Sequence, residues 1–156
     1  MPPRLPIRKI LVPTDFSACA DQALEYGLGL ARTLGASIEL CHCAPAPDYH
    51  VPALVSPAMR VAATDLVAQL AQMQHAAQQE LQQRVERHRG EGVPLSWCTL
   101  EGVPDESICQ HARQSGCDLI VLGSHGRRGL SRVLLGSIAE RVVRFAPCPV
   151  LVVHPS

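Results

Sequence analysis

The most informative stretch of the chain is a glycine-rich segment, residues 123–137, that also carries arginines and hydroxyl side chains. Glycines let backbone N–H groups approach an anion closely, a helix N-terminus adds partial positive charge, and guanidinium groups suit phosphate oxygens. The segment therefore predicts a phosphate-binding site. The residues assigned to it are Gly123, Ser124, His125, Gly126, Arg127, Arg128, Gly129, Arg132, Gly136, Ser137 and Ile138.

Two common phosphate-binding motifs do not describe this segment. A P-loop, Gly-x4-Gly-Lys-[Ser/Thr], requires a lysine that is missing here and a different glycine spacing. A dinucleotide fingerprint, Gly-x-Gly-x-x-Gly, would follow the first strand of its fold rather than lie in the last quarter of the chain. The segment predicts neither a standard P-loop NTPase nor a dinucleotide-binding dehydrogenase.

The charge balance supports a small anionic ligand over a polyanion. The chain has 14 basic and 14 acidic residues, so its net charge is zero, which disfavours nucleic acid and anionic membranes as partners. Residues 120–156 nevertheless carry five arginines against one glutamate, a net charge of +4. We expect any anion site to lie in that last quarter.

Short apolar runs alternate with longer amphipathic stretches along the chain. The predicted strands cover residues 8–13, 37–43, 93–100, 119–123 and 149–153. The predicted helices run from an N-cap at Ser17 to a stop at Gly35, and then over residues 59–89, 104–116 and 137–145. Residues 44–57 contain four prolines and are predicted to form a flexible loop, either a lid over a ligand or a disordered connection.

This alternation predicts one α/β domain over residues 1–156, a doubly wound, Rossmann-like fold. Its open sheet has five parallel strands in the order 3-2-1-4-5, with helices on both faces. Such sheets bind ligands where the winding direction reverses, here between strands one and four. Strand one ends at Pro13, Thr14 and Asp15, and strand four ends at Gly123. The sheet topology and the distribution of charge thus predict the same location for the binding site.

Three separated motifs resemble the universal stress protein family, and the resemblance covers almost the whole chain. They are the opening Ile-Leu-Val-Pro-Thr-Asp-Phe-Ser at residues 10–17, the middle Asp-Leu-Ile-Val-Leu-Gly-Ser-His-Gly at residues 118–126, and the close Ala-Pro-Cys-Pro-Val-Leu-Val-Val at residues 146–153. The spacing Gly123-x2-Gly126-x9-Gly136-Ser137 matches the nucleotide-binding signature of the ATP-binding branch.

The resemblance implies an adenine nucleotide alpha hydrolase-like fold and a site for ATP, with or without Mg²⁺. In that branch the residue matching Asp15 contacts the ribose, and the residue matching Cys43 contacts adenine through its backbone. Cysteine departs from the aliphatic residue usual at this position, a change that a backbone contact tolerates. The family's pairing of last strands implies a homodimer edge at Val150, Leu151, Val152 and Val153.

Several of these residues have a simpler structural explanation. Asp15 is also a suitable helix cap, and Ser137 begins Ser-Ile-Ala-Glu, a capping box. His125 is either a proton-transfer group or, as we favour, a hydrogen-bonding loop residue, because no carboxylate or nucleophile accompanies it in the sequence. His42, inside a strand, is predicted to be a buried histidine with its hydrogen bonds satisfied.

The cysteines predict a reduced protein without a metal centre. Their number is odd and they lie in apolar stretches, as expected of small buried hydrophobic side chains. Cys41 and Cys43 flank His42, but alternation along a strand points them away from it. Cys19 and Cys148, near element ends, are the candidates for any redox role. The N-terminus lacks a signal peptide's apolar region, so we expect a cytoplasmic protein.

The combined sequence evidence predicts ATP binding rather than fast turnover, with no catalytic residue assigned. Fast phosphoryl transfer needs a held Mg²⁺ and a positioned nucleophile, which the segment does not supply. The most catalysis that we expect from this segment is slow ATP hydrolysis or autophosphorylation on Ser124, Ser131 or Ser137. Two alternatives stay open: a stress protein that binds no nucleotide and acts through dimer or partner surfaces, and a flavin or electron-transfer module.

Overall fold

A computed structural model of the protein describes residues 6–44, 56–125 and 135–155. Strands and helices alternate in these ranges. The strands are β1 (Lys9–Pro13), β2 (Ser37–Ala44), β3 (Leu95–Glu101), β4 (Leu119–Gly123) and β5 (Val150–Val153). The helices are α1 (Ala18–Leu34), α2 (Pro57–Arg87), α3 (Pro104–Gln114) and α4 (Ser137–Phe145). Most of the predicted flexible loop, residues 45–55, lies outside the described residues.

The strands form one parallel sheet in the order β3-β2-β1-β4-β5, which confirms the predicted topology. Ile10 of β1 is in register with Ile38 on one side and Leu119 on the other. The strands that end at Pro13 and Gly123 are neighbours, so the point where the winding reverses lies where the sequence predicts it. β5 is an edge strand, and its four residues are half-buried.

Each face of the sheet carries two helices, because alternate strand residues point to opposite faces. On one face, Leu24 and Leu28 of α1 and Leu81 of α2 pack against the even-numbered residues of β1. On the other, Ile108 of α3 and Val142 of α4 pack against Leu11. Each large apolar side chain buried in this way contributes about 1.5–3 kcal/mol to stability. Both layers therefore hold the central strands rigidly in place.

The residues that begin and end the elements explain their bounds. Ser17 caps α1 by accepting a hydrogen bond from the amide of Ala20, 3.2 Å away, as predicted. Gly35 ends that helix with φ of +67°, a conformation that costs glycine little. β3 begins at Leu95 rather than at residue 93, since Pro94 has no N–H to donate to a neighbouring strand. The other bounds differ from the prediction by at most two residues.

The longest helix, α2, departs from the sequence prediction in its first half. The apolar positions from residue 59 to residue 85 predict a continuous stripe that covers the sheet. Only the end of the stripe does so, where Ala77 and Leu81 are buried, whereas Met59 and Met73 are 60% and 59% exposed. None of the helices in the described ranges, α2 included, has the combination of length and apolarity needed to cross a bilayer.

Candidate functional site

A cavity of about 520 Å³ lies at the carboxyl ends of β1 and β4. Every predicted site residue that the structure describes lines it. These residues are Pro13, Thr14, Asp15, Cys43, Gly123, Ser124, His125, Gly136, Ser137 and Ile138. The lining also includes residues that the sequence analysis did not assign to the site, namely Ala20, Cys41, His42, Pro104, Ile108, Leu122 and Ala139. Most of these are apolar core residues with no chemical signature in the sequence.

The basic residues of the last quarter divide into two groups. Arg141 and Arg144 do not line the cavity: the guanidinium of Arg141 lies 2.7 Å from a carboxylate oxygen of Asp105, and that of Arg144 stacks 5.6 Å from the ring centre of Phe145. The predicted phosphate ligands Gly126, Arg127, Arg128, Gly129 and Arg132 lie outside the described residues. Among the described residues, therefore, no arginine of this last quarter lines the cavity.

The turn after β1 is held by short-range hydrogen bonds. The carboxylate of Asp15 accepts one from the amide of Ser17, at 3.0 Å, and the hydroxyl of Thr14 accepts one from the amide of Phe16, also at 3.0 Å. Ser17, not Asp15, is the N-cap of α1. Asp15 thus supports the entry to α1 from outside the helix while lining the cavity.

Phe16 adopts φ of +64°, which is unusual for a residue with a side chain. Its ring is held from two sides: His42 stacks on it with ring centres 4.4 Å apart, and the guanidinium of Arg84 from α2 lies 4.9 Å from its centre. His42 also donates Nδ1–H to the carbonyl of Thr14, at 2.8 Å. This agrees with the predicted hydrogen bonding of the histidine, but His42 is half-buried and lines the cavity rather than being buried. The bond fixes the turn that presents Asp15.

Gly123, at the end of β4, is a glycine for a reason that the sequence did not reveal. A β-carbon at this position would lie 2.7 Å from the sulfur of Cys19 and 3.0 Å from its backbone. The close packing of β4 against the first turn of α1 therefore excludes a side chain. This contact explains Gly123 without invoking the close approach of an anion.

Beyond Gly123, the chain is tied to the neighbouring elements. The amide of Ser124 donates to the carbonyl of Val153 in β5, at 2.8 Å, and the carbonyl of Ser124 accepts from the amide of Gly136, at 2.7 Å. The hydroxyl of Ser124 is 2.8 Å from Nδ1 of His125, while Nε2 of His125 is buried without a partner within the described part of the chain. Both side chains face the cavity.

The first turn of α4 opens onto the same cavity. The predicted capping box is wrong, because the N-cap is Gly136 and Ser137 is already the first helical residue. Within the described ranges no side chain caps this helix. The first amides of an α-helix have no partner inside the helix, and they carry its positive dipole end. With Ser137, Ile138 and Ala139 lining the cavity, this helix end can bind an anion.

The end of β2 supplies the third side of the cavity. The thiol of Cys43 lies 3.4 Å from the carbonyl of Gly102, and burial raises the pKa of that thiol. Burial also raises the pKa of Cys41 well above its usual value. Both side chains are therefore neutral at physiological pH. Cys41 packs in the core layer of α3 and α4, whereas His42 contacts Phe16. The side chains of Cys41, His42 and Cys43 therefore do not converge on one point, as the ligands of a metal ion would.

The fold and this cavity define a doubly wound α/β protein with a ligand crevice at the switch point of its sheet. The model of the universal stress protein family matches residues 6–154. Universal stress protein MJ0531 of Methanocaldococcus jannaschii is 34% identical over 147 residues, which cover 94% of this chain and 81% of that protein. The chain therefore belongs to the universal stress protein family.

Solved structures support this assignment. Universal stress protein UspA from Lactobacillus plantarum superimposes with a TM-score of 0.78 at 29% identity, over 95% of this chain and 98% of that one. The universal stress protein from Archaeoglobus fulgidus in complex with dAMP superimposes with a TM-score of 0.63 at 21% identity, over 94% of this chain and 97% of that one. At 21% identity, the second comparison shows that the two proteins share a fold.

Proposed function

We propose that this protein is a cytoplasmic stress-response protein that binds an adenine nucleotide, ATP with or without Mg²⁺, at the carboxyl ends of β1 and β4. One observation carries the proposal. The N-terminus of α4, without a side-chain cap in the described ranges, opens onto the same cavity as the carboxylate of Asp15. The two groups can bind the opposite ends of a nucleotide.

The phosphate end would lie at the first turn of α4. Backbone amides and the dipole of this helix offer hydrogen bonds and partial positive charge to phosphate oxygens. Ser124 and Ser137, each with a hydroxyl group, also line the cavity. Arg127, Arg128 and Arg132, from the segment between Ser124 and Gly136 in the sequence, would neutralise the charge of the phosphates.

The nucleoside end would lie between the ends of β1 and β2. A carboxylate such as Asp15 accepts hydrogen bonds from ribose hydroxyls, and its turn is held in place by Phe16 and Ser17. The backbone of Cys43 would contact adenine, since its side chain already points to the carbonyl of Gly102. The complex of the Archaeoglobus fulgidus relative with dAMP supports an adenine nucleotide as the ligand class.

Occupancy of the site, rather than turnover, is the proposed activity. Among the described residues that line the cavity, Asp15 is the only carboxylate, and none is a lysine or an arginine. Rapid phosphoryl transfer requires metal-holding carboxylates and a cationic clamp at the transferred group. We propose that the bound nucleotide stabilises one conformation of the protein that partners recognise.

We further propose a homodimer formed through β5. The strand is at the edge of the sheet, and Val150, Leu151, Val152 and Val153 are all half-buried rather than covered. An apolar edge strand of this kind readily pairs with another chain. A second copy of the chain would complete the sheet across a two-fold axis.

The first test identifies the ligand directly. The protein is purified without added nucleotide, heat-denatured, and the released small molecules are identified by mass spectrometry. We expect an adenine nucleotide, and ATP added to the stripped protein should raise its Tm. A released flavin with a yellow absorbance band would contradict the proposal in favour of a flavin module. A stripped protein that no adenine nucleotide stabilises would favour a member that acts through its surfaces alone.

The second test removes a single backbone donor from the first turn of α4. Proline is favoured at the first helical position, and Gly136 has the extended conformation, φ of −62° and ψ of 149°, that suits a residue before proline. Ser137→Pro should therefore leave the fold intact and weaken ATP binding by about tenfold, as for loss of one hydrogen bond to a charged group. The matched variant Ser137→Ala loses only the hydroxyl and should bind more tightly than Ser137→Pro. Equal affinities would exclude the helix amide as a ligand.

A further inference from the structure

A second cluster of reactive side chains lies on the α3 face of the sheet, and none of its three residues lines the cavity. Glu39 comes from β2, Cys98 from β3 and His111 from α3. Nε2 of His111 is 3.1 Å from Oε2 of Glu39 and 3.7 Å from Sγ of Cys98. All three ligand atoms lie within 4.8 Å of one another. Three separate elements thus bring a carboxylate, an imidazole and a thiol to one point.

The two separations that involve His111 fit a tetrahedral ion. Around a tetrahedral Zn²⁺, the usual bond lengths place a nitrogen and an oxygen ligand about 3.3 Å apart, and a nitrogen and a sulfur ligand about 3.6 Å apart. The observed separations are 3.1 Å and 3.7 Å. The oxygen of Glu39 and the sulfur of Cys98 lie within 4.8 Å of each other, so side-chain rotation alone can bring all three atoms around one ion.

Hydrogen bonding within the cluster satisfies Glu39 and His111 but leaves the thiol proton of Cys98 without an acceptor there. Nε2 of His111 can carry one proton, which it donates to the Glu39 carboxylate, because a carboxylate only accepts. With that proton in place, Nε2 has no lone pair to accept a hydrogen bond from the thiol of Cys98. A cation would bind all three atoms at once, with the ring proton of His111 moved to Nδ1 and the thiol proton of Cys98 released to solvent.

We propose that Glu39, Cys98 and His111 form a Zn²⁺ site, with a fourth position open to water. A set of one sulfur, one nitrogen and one oxygen ligand suits this ion, whereas Mg²⁺ and Ca²⁺ prefer oxygen alone. The side chains of Glu39 and His111 are 16% and 21% exposed, so the cluster is accessible to solvent on one side. The ion would join β2, β3 and α3 next to the core layer of α3.

Lys9 competes with a metal ion for the carboxylate of Glu39. Its ammonium lies 2.8 Å from the same oxygen of Glu39 that His111 contacts. The side chain of Lys9 is 31% exposed and can turn towards solvent when Zn²⁺ replaces it. A metal-free form, in which Lys9 is paired with Glu39, therefore exchanges with a metal-bound form, in which Lys9 faces solvent.

Co²⁺ titration of the reduced, chelator-treated full-length protein tests the site. Co²⁺ replaces Zn²⁺ in such sites, and a cysteine ligand gives it a sulfur-to-metal charge-transfer band in the near ultraviolet. We expect one equivalent of Co²⁺ to produce this band and Zn²⁺ to abolish it. Cys98→Ala should lose the band, and the control Cys148→Ala, which removes a half-buried cysteine outside the cluster, should keep it. A wild-type protein without the band, or a band that survives in Cys98→Ala, would overturn the proposal.

Two further variants separate metal binding from a structural hydrogen-bond network. His111→Gln should weaken Co²⁺ binding at least tenfold, whereas His75→Gln, on the exposed side of α2, should not change it. Lys9→Met removes the competing ammonium and should strengthen Co²⁺ binding about tenfold or more, because the metal no longer has to displace a hydrogen-bonded ion pair from Glu39. A purely structural network predicts the opposite, a Lys9→Met protein that is less stable and binds Co²⁺ no better. Circular dichroism of each variant checks that the fold is retained.

Discussion

Gly123 and Cys19 are in direct contact: a β-carbon on Gly123 would lie 2.7 Å from the sulfur of Cys19. The thiol of Cys19 lies 3.7 Å from the carbonyl of Val153, so the same side chain also contacts the end of β5. This contact joins the end of β4 to the first turn of α1, beside the cavity that Gly123 and Ala20 line. The absence of a side chain at position 123 therefore lets β4 pack closely against α1.

Gly123→Ala is expected to lower the free energy of unfolding by about 1–3 kcal/mol, the usual cost of inserting a methyl group into a packed interior. The backbone atoms of Cys19 at 3.0 Å cannot move without shifting α1. Urea denaturation of the two proteins measures the difference. A variant as stable as the wild type would contradict the close packing.

Gly29→Ala is the matched control: Gly29 lies in α1, the helix that Gly123 packs against. Nothing lies within 4 Å of a β-carbon at position 29, and alanine is the better helix former. We therefore expect this substitution to raise stability by about 0.5–1 kcal/mol. The same added methyl group thus destabilises at position 123 and stabilises at position 29.

Asp15→Asn should weaken ATP binding about tenfold or more and leave the Tm of the nucleotide-free protein close to that of the wild type. Asparagine keeps an oxygen that can accept the hydrogen bond from the amide of Ser17, but it loses the negative charge that binds ribose hydroxyls strongly. Isothermal titration calorimetry measures the affinity. Asp65→Asn, on the exposed first half of α2, is the control for a general effect of charge. Unchanged affinity in Asp15→Asn would remove this carboxylate from the site.

Val152→Pro should convert the proposed dimer to a monomer without breaking the sheet. The carbonyls of Pro149 and Val153 accept hydrogen bonds from β4, so alternation along the strand directs the backbone groups of Val152 to the outer edge. Proline at that position removes only an outward N–H, which edge strands tolerate. Val152→Ala, which keeps the N–H, should remain dimeric in analytical ultracentrifugation. A Val152→Pro protein that stays dimeric would place the dimer interface elsewhere.

Cys148 should react slowly with iodoacetamide at pH 8, with a rate that rises as the pH approaches 11. Burial raises the pKa of its thiol to about 11, so the reactive thiolate is scarce at neutral pH. Mass spectrometry of the alkylated peptides over this pH range gives the profile, with glutathione as the unperturbed reference. This electrostatic environment disfavours the redox role considered for Cys148. Rapid alkylation at pH 7 would contradict the raised pKa.

The local sequence determined most of the architecture. Ser17, Gly35 and Pro104 act on the residues beside them, so they locate the ends of helices without knowledge of the rest of the chain. Short apolar runs between amphipathic stretches permit only a parallel sheet with crossover helices. The same topology brings the residues after β1 and β4 to one edge, and this is why the described site residues line a common cavity.

Tertiary structure decided the features that depend on distant neighbours. Nothing in the spacing of Glu39, Cys98 and His111 indicates that they meet, because their proximity depends on the register of β2 with β3 and on the docking of α3. The apolar stripe of α2 predicted burial along its whole length, but the sheet extends under only its last turns. Periodicity identifies which face of a helix is apolar, whereas the length of the surface opposite it decides how much of that face is buried.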